Sequence, residues 1–240
     1  MAAATELQTP VFLLAMPQVD DVFFKKSVVL LVRHDEEEGS LGFIVNRPTE
    51  LRVAEILEDN EIPWQGEGEG PHAFFGGPVN PEIGTLLYLA SGASASGLPV
   101  SEDEVSEDRD SEDEVSEDRV SKDGVSEDER SEHAVPGGLE SGDAGDDLLP
   151  GVVASQSLND LETLARDSEG GFRLYLGYAG WGVGQLEQEI LRNDWLIAPV
   201  DHELIFADDT DAVWRRAVES VGIEPDTLPA WTQGSEPVAN

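Results

Sequence analysis

The residues that could do chemistry in this chain are few and scattered. Four histidines, His34, His72, His133 and His202, sit far apart with no i,i+4 metal spacing and no Gly-x-Ser-x-Gly partner. There is no cysteine, which removes thiolate nucleophiles, disulfides and Cys-based zinc sites. Asp201-His202-Glu203 with Asp208-Asp209 resembles a ligand set, but such runs arise by chance among 51 acidic residues. What stands out is Gly177-Tyr178-Ala179-Gly180-Trp181-Gly182-Val183-Gly184-Gln185-Leu186-Glu187-Gln188-Glu189, where glycines at 177, 180, 182 and 184 separate an apolar run from a helical one. Glycines there permit positive φ or a close approach of other groups. Gly180-x-Gly182-x-Gly184 is neither a dinucleotide fingerprint nor a Walker A loop, and no Lys-Ser/Thr follows. Two further strand ends carry turn chemistry, Asn46-Arg47-Pro48 and Gly76-Gly77-Pro78. Trp181, flanked by small residues, reads as a core anchor or an exposed contact.

The elements that must position these segments follow from hydrophobic patterning. Short apolar runs at 11–16, 28–32, 41–45, 86–90, 152–154, 172–178 and 195–198 read as strands, with 28–32 and 41–45 forming a hairpin. A strand broken by the glycine pair is expected over 74–79, and another over 203–206. Helices are expected over 51–58 with Thr49 as N-cap, after the Ser157 cap, over 185–193, and over 211–221 with Gly222 as the stop. The glycine-rich block falls in this scheme as a loop between strand and helix.

From 93 to 146 the chain changes character. Valine recurs in steps of five at Val100, Val105, Val115, Val120, Val125 and Val135, inside a repeat close to Val-Ser-Glu-Asp-x. Five residues turn an α-helix by about 500°, so the valines shift by about 140° each and trace no stripe. On a strand an odd period alternates faces. With no face to bury, an acidic disordered insertion is expected. The remainder of 1–225 then forms a single α+β domain, and 226–240 a polar, partly disordered tail.

The formal net charge is −37, and only three residues are lysine, Lys25, Lys26 and Lys122. Omitting 101–132 still leaves 35 acids against 10 bases, so the acidity belongs to the whole chain. Such a surface opposes phosphate backbones and disfavours direct DNA binding. It also suits a salt-loaded, halophilic cytoplasm. The N-terminus lacks a basic region ahead of its apolar run, and no stretch approaches the ~20 apolar residues of a membrane span. A cytoplasmic protein without membrane contact is expected.

Taken together, Val19-Asp20-Asp21-x-Phe23, Gly42 to Pro48, Phe75-Gly76-Gly77-Pro78-Val79, the block from Gly177 to Glu189, and Asn193-Asp194-Trp195-Leu196 resemble the AlgH/YqgE family of bacterial proteins. The resemblance implies an α+β fold, with a bifurcated mixed sheet that includes a small closed barrel and is flanked by helices. It implies an uncharacterised function, one branch being described as a regulator of exopolysaccharide synthesis with a proposed transcriptional role. The leading expectation is a non-catalytic binding or regulatory protein. Asn46, Arg47, Gly76, Gly77, Pro78, Gly180, Trp181, Gly184, Gln185 and Glu189 would line one ligand cleft for an unknown small molecule or protein segment, without cofactor or metal. The rival is a hydrolase in which Arg47 holds an anion and Glu189 acts as base.

Overall fold

A computed structural model describes residues 7–65, 70–90, 146–166, 171–229 and 231. The expected insertion therefore lies outside the described residues up to its last position, Asp146, which opens a strand. Of the tail, Pro225–Thr227 forms a 3-10 turn and Trp231 packs on Trp214 with ring centroids 5.5 Å apart.

Ten strands form one sheet: β1 (Val11–Ala15), β2 (Val28–Asp35), β3 (Gly39–Ile44), β4 (Pro48–Arg52), β5 (His72–Phe75), β6 (Val79–Leu89), β7 (Asp146–Leu149), β8 (Val152–Ser155), β9 (Phe172–Trp181) and β10 (Trp195–Ala198). The helices are α1 (Val53–Asp59), α2 (Leu158–Arg166), α3 (Gln185–Leu191), α4 (His202–Ile205) and α5 (Thr210–Ser220). The path runs β10-β1-β2-β3-β9-β6-β8-β7, with β4 and β5 branching off. β9 is the fork. Phe172 to Leu176 and Tyr178 pair with β6, Tyr175 and Leu176 also pair in parallel with β5, and Ala179 to Trp181 pair with β3. The mixed, bifurcated α+β architecture is thus present. The closed barrel is not: among the described residues no pairing joins the path's two ends, β10 and β7.

The central strands read as unbroken apolar runs because both their faces are covered. Phe12, Leu14, Val28, Leu30, Phe43 and Val45 pack with Val213, Trp214, Ala217 and Val218 of α5. Leu13, Ala15, Val29, Leu31 and Ile44 pack on the other side with Trp181, Leu186 and Trp195. A third cluster joins α1 and α2 to β6 and β9 through Val53, Leu57, Leu86, Leu161 and Leu174. α5 is capped by Asp209, whose carboxylate accepts from Ala212 N, and it ends at Gly222 with φ +79°.

Four expectations are corrected. Residues 48–52 form β4, because the Thr49 hydroxyl donates to the Ala73 carbonyl (2.8 Å) across the sheet and so is not the helix cap. The helix begins at Val53, with the Glu55 carboxylate accepting from Arg52 N at 2.7 Å. Residues 79–89 form one strand rather than two, absorbing an irregularity between Val79 and Gly84. Residues 202–205 form a helical turn capped by Asp201 instead of a strand. The glycine-rich block is no simple loop, since Gly177 to Trp181 lie inside β9.

Candidate functional site

Two of the sequence-predicted residues, Asn46 and Arg47, bond directly to the segment between β1 and β2. Asp21 Oδ1 accepts from Phe23 N (2.8 Å) and Phe24 N (3.2 Å), folding the chain into a side-chain-stabilised turn. Two carbonyls just beyond it are satisfied from β3's far end. Asn46, 7% exposed, donates to the Lys26 carbonyl and accepts from Val28 N, each at 2.9 Å. The Arg47 guanidinium donates to the Lys25 carbonyl. Burial pushes the Arg47 pKa below its ordinary value, opposed by Asp211; the group stays a cation.

The second segment meets the first backbone to backbone. Phe75 N donates to the Arg47 carbonyl, Ile44 N to the Gly76 carbonyl and Gly76 N to the Leu176 carbonyl, each at 2.8 Å. A Cβ on Gly76 would lie 2.2 Å from the Gly177 carbonyl oxygen, and one on Gly77 would lie 2.1 Å from the Tyr178 carbonyl carbon. These glycines therefore admit another strand's main chain. Pro78 and Gly180 are exposed.

The third segment closes around a carboxylate. Trp181 is 3% exposed and Trp195 5% exposed. Both indole N–H groups donate to Glu189 Oε2, at 2.8 and 2.7 Å, while Gln185 Nε2 donates to Oε1 at 3.0 Å. Gln185 also accepts from Gly182 N (3.1 Å), and Gly184, with φ +71°, precedes the first turn of α3. Trp181 is thus an anchor. Phe24 packs against both indoles, its ring 5.6 Å from Trp195 and 6.3 Å from Trp181, while the indoles meet edge to face at 5.8 Å.

The β1–β2 connection touches each segment in turn: Asn46 and Arg47 bond its main chain, Phe75 stacks on Phe23, and Trp181 lies against Phe24. To solvent the turn offers an apolar pair flanked by the exposed Asp20, Asp21 and Lys26. Val22 is 82% exposed, and Phe23, 43% exposed, stacks on Phe75 at 5.5 Å and 27°. Beside them in sequence lie Lys25 and Lys26, two of the chain's three lysines. Val22, Phe23, Phe24 and Trp195 were absent from the residues singled out by sequence as a site. The available signal was a Phe-Phe pair in a short connection where one ring would be expected to lack cover. Arg47 and Glu189 do not form the pair that the hydrolytic reading requires, because each has other partners: a main-chain carbonyl for the first, two indoles and an amide for the second. Among the described residues no group of three or more His, Cys, Asp or Glu could hold a metal ion, and no helix is long and apolar enough to cross a membrane.

A mixed sheet forked at a Gly-Tyr-Ala-Gly-Trp strand, with its aromatic pair bridged by a glutamate, defines an α+β domain whose motifs brace one another. The chain belongs to the AlgH-like family, whose model matches residues 12–127 and 131–226. A UPF0301 protein of Methylococcus capsulatus is 34% identical over 221 residues, covering 90% of each chain. A UPF0301 protein of Thioalkalivibrio sulfidiphilus is 30% identical over 214 residues, covering 89% of each. The solution structure of the AlgH protein from Pseudomonas aeruginosa shares the fold at 24% identity, with a TM-score of 0.57 over 91% of this chain and 94% of that one. A crystal structure of a protein from Corynebacterium diphtheriae also shares it, at 20% identity and a TM-score of 0.57 over 89% of this chain and 87% of that one.

Proposed function

We propose that this chain is a non-catalytic binding protein that engages a protein segment through the Val22-Phe23 tip. The observation that carries this reading is an apolar pair, 82% and 43% exposed, on a turn whose main chain is tied down by Asn46 and Arg47. A rigid apolar display loses little freedom on binding, which favours affinity. Asn46, Arg47, Gly76 and Gly77 set the turn against β5. Trp181, Gly184, Gln185 and Glu189 brace it through Phe24, and Pro78 and Gly180 belong to the exposed surroundings. Around the tip Asp20 and Asp21 offset Lys25 and Lys26, with Lys25 3.8 Å from Asp20, so the partner segment is selected by its apolar side chains. A regulatory role in the cytoplasm, of the kind the resemblance implies, then runs through protein contact; direct DNA binding works against the chain's charge.

The test is a Val22→Asp, Phe23→Ser double variant beside wild type in partner capture, with melting temperatures measured for both. Loss of a defined partner at unchanged melting temperature supports the proposal. Retention of every captured partner refutes it.

A further inference from the structure

A cleft of about 220 Å³ lies between α1, α2 and the β6–β9 pair. Its floor is made by Leu86, Leu161 and Leu174, all under 5% exposed. Gly84 keeps the floor open: a Cβ there would stand 3.2 Å from Leu174 Cδ1. At the mouth, Leu158, the first residue of α2, is 54% exposed. A dry apolar cavity of about 150 Å³ accommodates a benzene ring. The volume here suits one ring with a short chain.

The rim sets the polarity of that chain. Asn60 donates its Nδ2 to the Ile56 carbonyl at 2.8 Å, and since that oxygen only accepts, the amide orientation is fixed with Oδ1 left as an acceptor. Glu82 lines the same rim with an exposed carboxylate and has no ion pair among the described residues. Gln156 donates its Nε2 to the Thr85 hydroxyl at 3.1 Å, which leaves Oε1 as an acceptor. Among the described residues no lysine or arginine lines the cleft. Acceptor oxygens and one carboxylate above a leucine floor call for a ligand with N–H donors and positive charge, and the chain's acidity raises the local concentration of cations.

We propose that this cleft is a binding site for a small primary amine with a compact apolar body, its ammonium held by Glu82 and Asn60 and its body on Leu86, Leu161 and Leu174. This site shares no residue with the Phe23 tip, so failure of either reading leaves the other intact. The probe is phenethylamine, titrated against the full chain in about 0.5 M KCl to screen non-specific attraction. Leucine methyl shifts in NMR serve as the readout, with 2-phenylethanol and phenylacetate as comparators. The expected result is saturable shifts at the floor leucines, and a loss of affinity of roughly tenfold or more in Glu82→Gln, whose exposed position leaves the fold intact. Gly84→Leu, which fills the floor, should abolish the shifts. Absence of saturable floor shifts with phenethylamine overturns the proposal, as does an unchanged affinity in Glu82→Gln or equal binding of the alcohol or the carboxylate. If Gly84→Leu does not fold, the Glu82→Gln and comparator arms still decide.

Discussion

Glu189 provides the sharpest test of how the aromatic cluster is held. Its Oε2 receives the N–H groups of both Trp181 and Trp195, and its Oε1 receives Gln185. Glu189→Leu keeps similar bulk and removes every acceptor. Each buried donor left unpaired costs about 1–3 kcal/mol. Because Glu189 is itself only half-buried, water can partly replace it, so the pair of indoles should lose about 2–4 kcal/mol together. Glu189→Gln is the informative control. Its single carbonyl oxygen can still take both indoles, as Oε2 does now, while its new amide confronts the Gln185 amide, for about 1 kcal/mol. Urea unfolding followed by circular dichroism at fixed high salt measures both variants without relying on the tryptophans. In a Trp195→Phe background the penalty of Glu189→Leu should fall by roughly half, since one of the two donors is gone. A Glu189→Leu variant within about 0.5 kcal/mol of wild type, or no worse than Glu189→Gln, would show that the carboxylate does not hold the indoles. The consequence reaches function, because Phe24 lies against both rings and Phe23 is the next residue. Loosened indoles should weaken partner capture although Glu189 is not part of the exposed tip.

Two glycines of the same block should behave differently when changed to alanine. At Gly177, with φ +69° and a Cβ placed 2.5 Å from the Gly77 carbonyl oxygen, main chain must move, and the loss should exceed about 3 kcal/mol in urea unfolding. At Gly184, with φ +71° and nothing nearer than 3.9 Å, only the left-handed conformation is penalised, about 1 kcal/mol. Tyr175 is fully buried and its hydroxyl has no hydrogen-bond partner among the described residues, so Tyr175→Phe should stabilise by about 1 kcal/mol at neutral pH. Burial raises the Tyr175 phenol above its ordinary 10.0, against the pull of Arg173. The phenol ionises more readily in the unfolded chain, so stability is full below pH 10.0 and falls as pH rises beyond it. Tyr175→Phe should flatten that alkaline decline in a pH series of urea melts, and an equal slope in both proteins would contradict the burial argument. The melting temperature should climb from about 0.1 M to about 3 M KCl as screening relieves a net charge of −37, and a flat profile would remove self-repulsion as a destabilising force.

The strands were legible because an apolar run of five with β-branched members has few alternatives, and α5 was legible because Val213, Trp214, Ala217 and Val218 fall on one helical face. Elements set by a distant partner were not. Thr49 looks like a helix cap until β5 offers the Ala73 carbonyl 24 residues away. His202–Ile205 is too short for any period to show, so only the Asp201 cap distinguishes a helical turn from a strand. The candidate site divides the same way. That Asn46, Arg47, Gly76, Gly77, Trp181 and Glu189 would serve one region was an expectation drawn from their common pattern of turns and glycines. That Asn46 reaches 20 residues back to the Lys26 carbonyl was not. A polar side chain at a strand end reads equally well as a ligand contact or as a cap, and the sequence contains nothing about which carbonyl lies within reach.

The fork in the sheet explains why a glycine-rich segment is built into a strand here. β9 has β6 along one edge, while its other edge is shared between β5 and β3. Where that edge changes hands, the chain leaving β5 must cross close over β9 before it can turn back as β6. A crossing at carbonyl-contact distance leaves no room for side chains, and the absence of a Cβ at Gly76, Gly77 and Gly177 makes the approach sterically open. The same crossing sets the exit of β5, so Phe75 ends beside the β1–β2 turn and receives Phe23 on its face. On this account the glycines and the exposed aromatic tip are one feature. A side chain at Gly76 should displace Phe75, unstack Phe23 and weaken partner capture before it unfolds the domain.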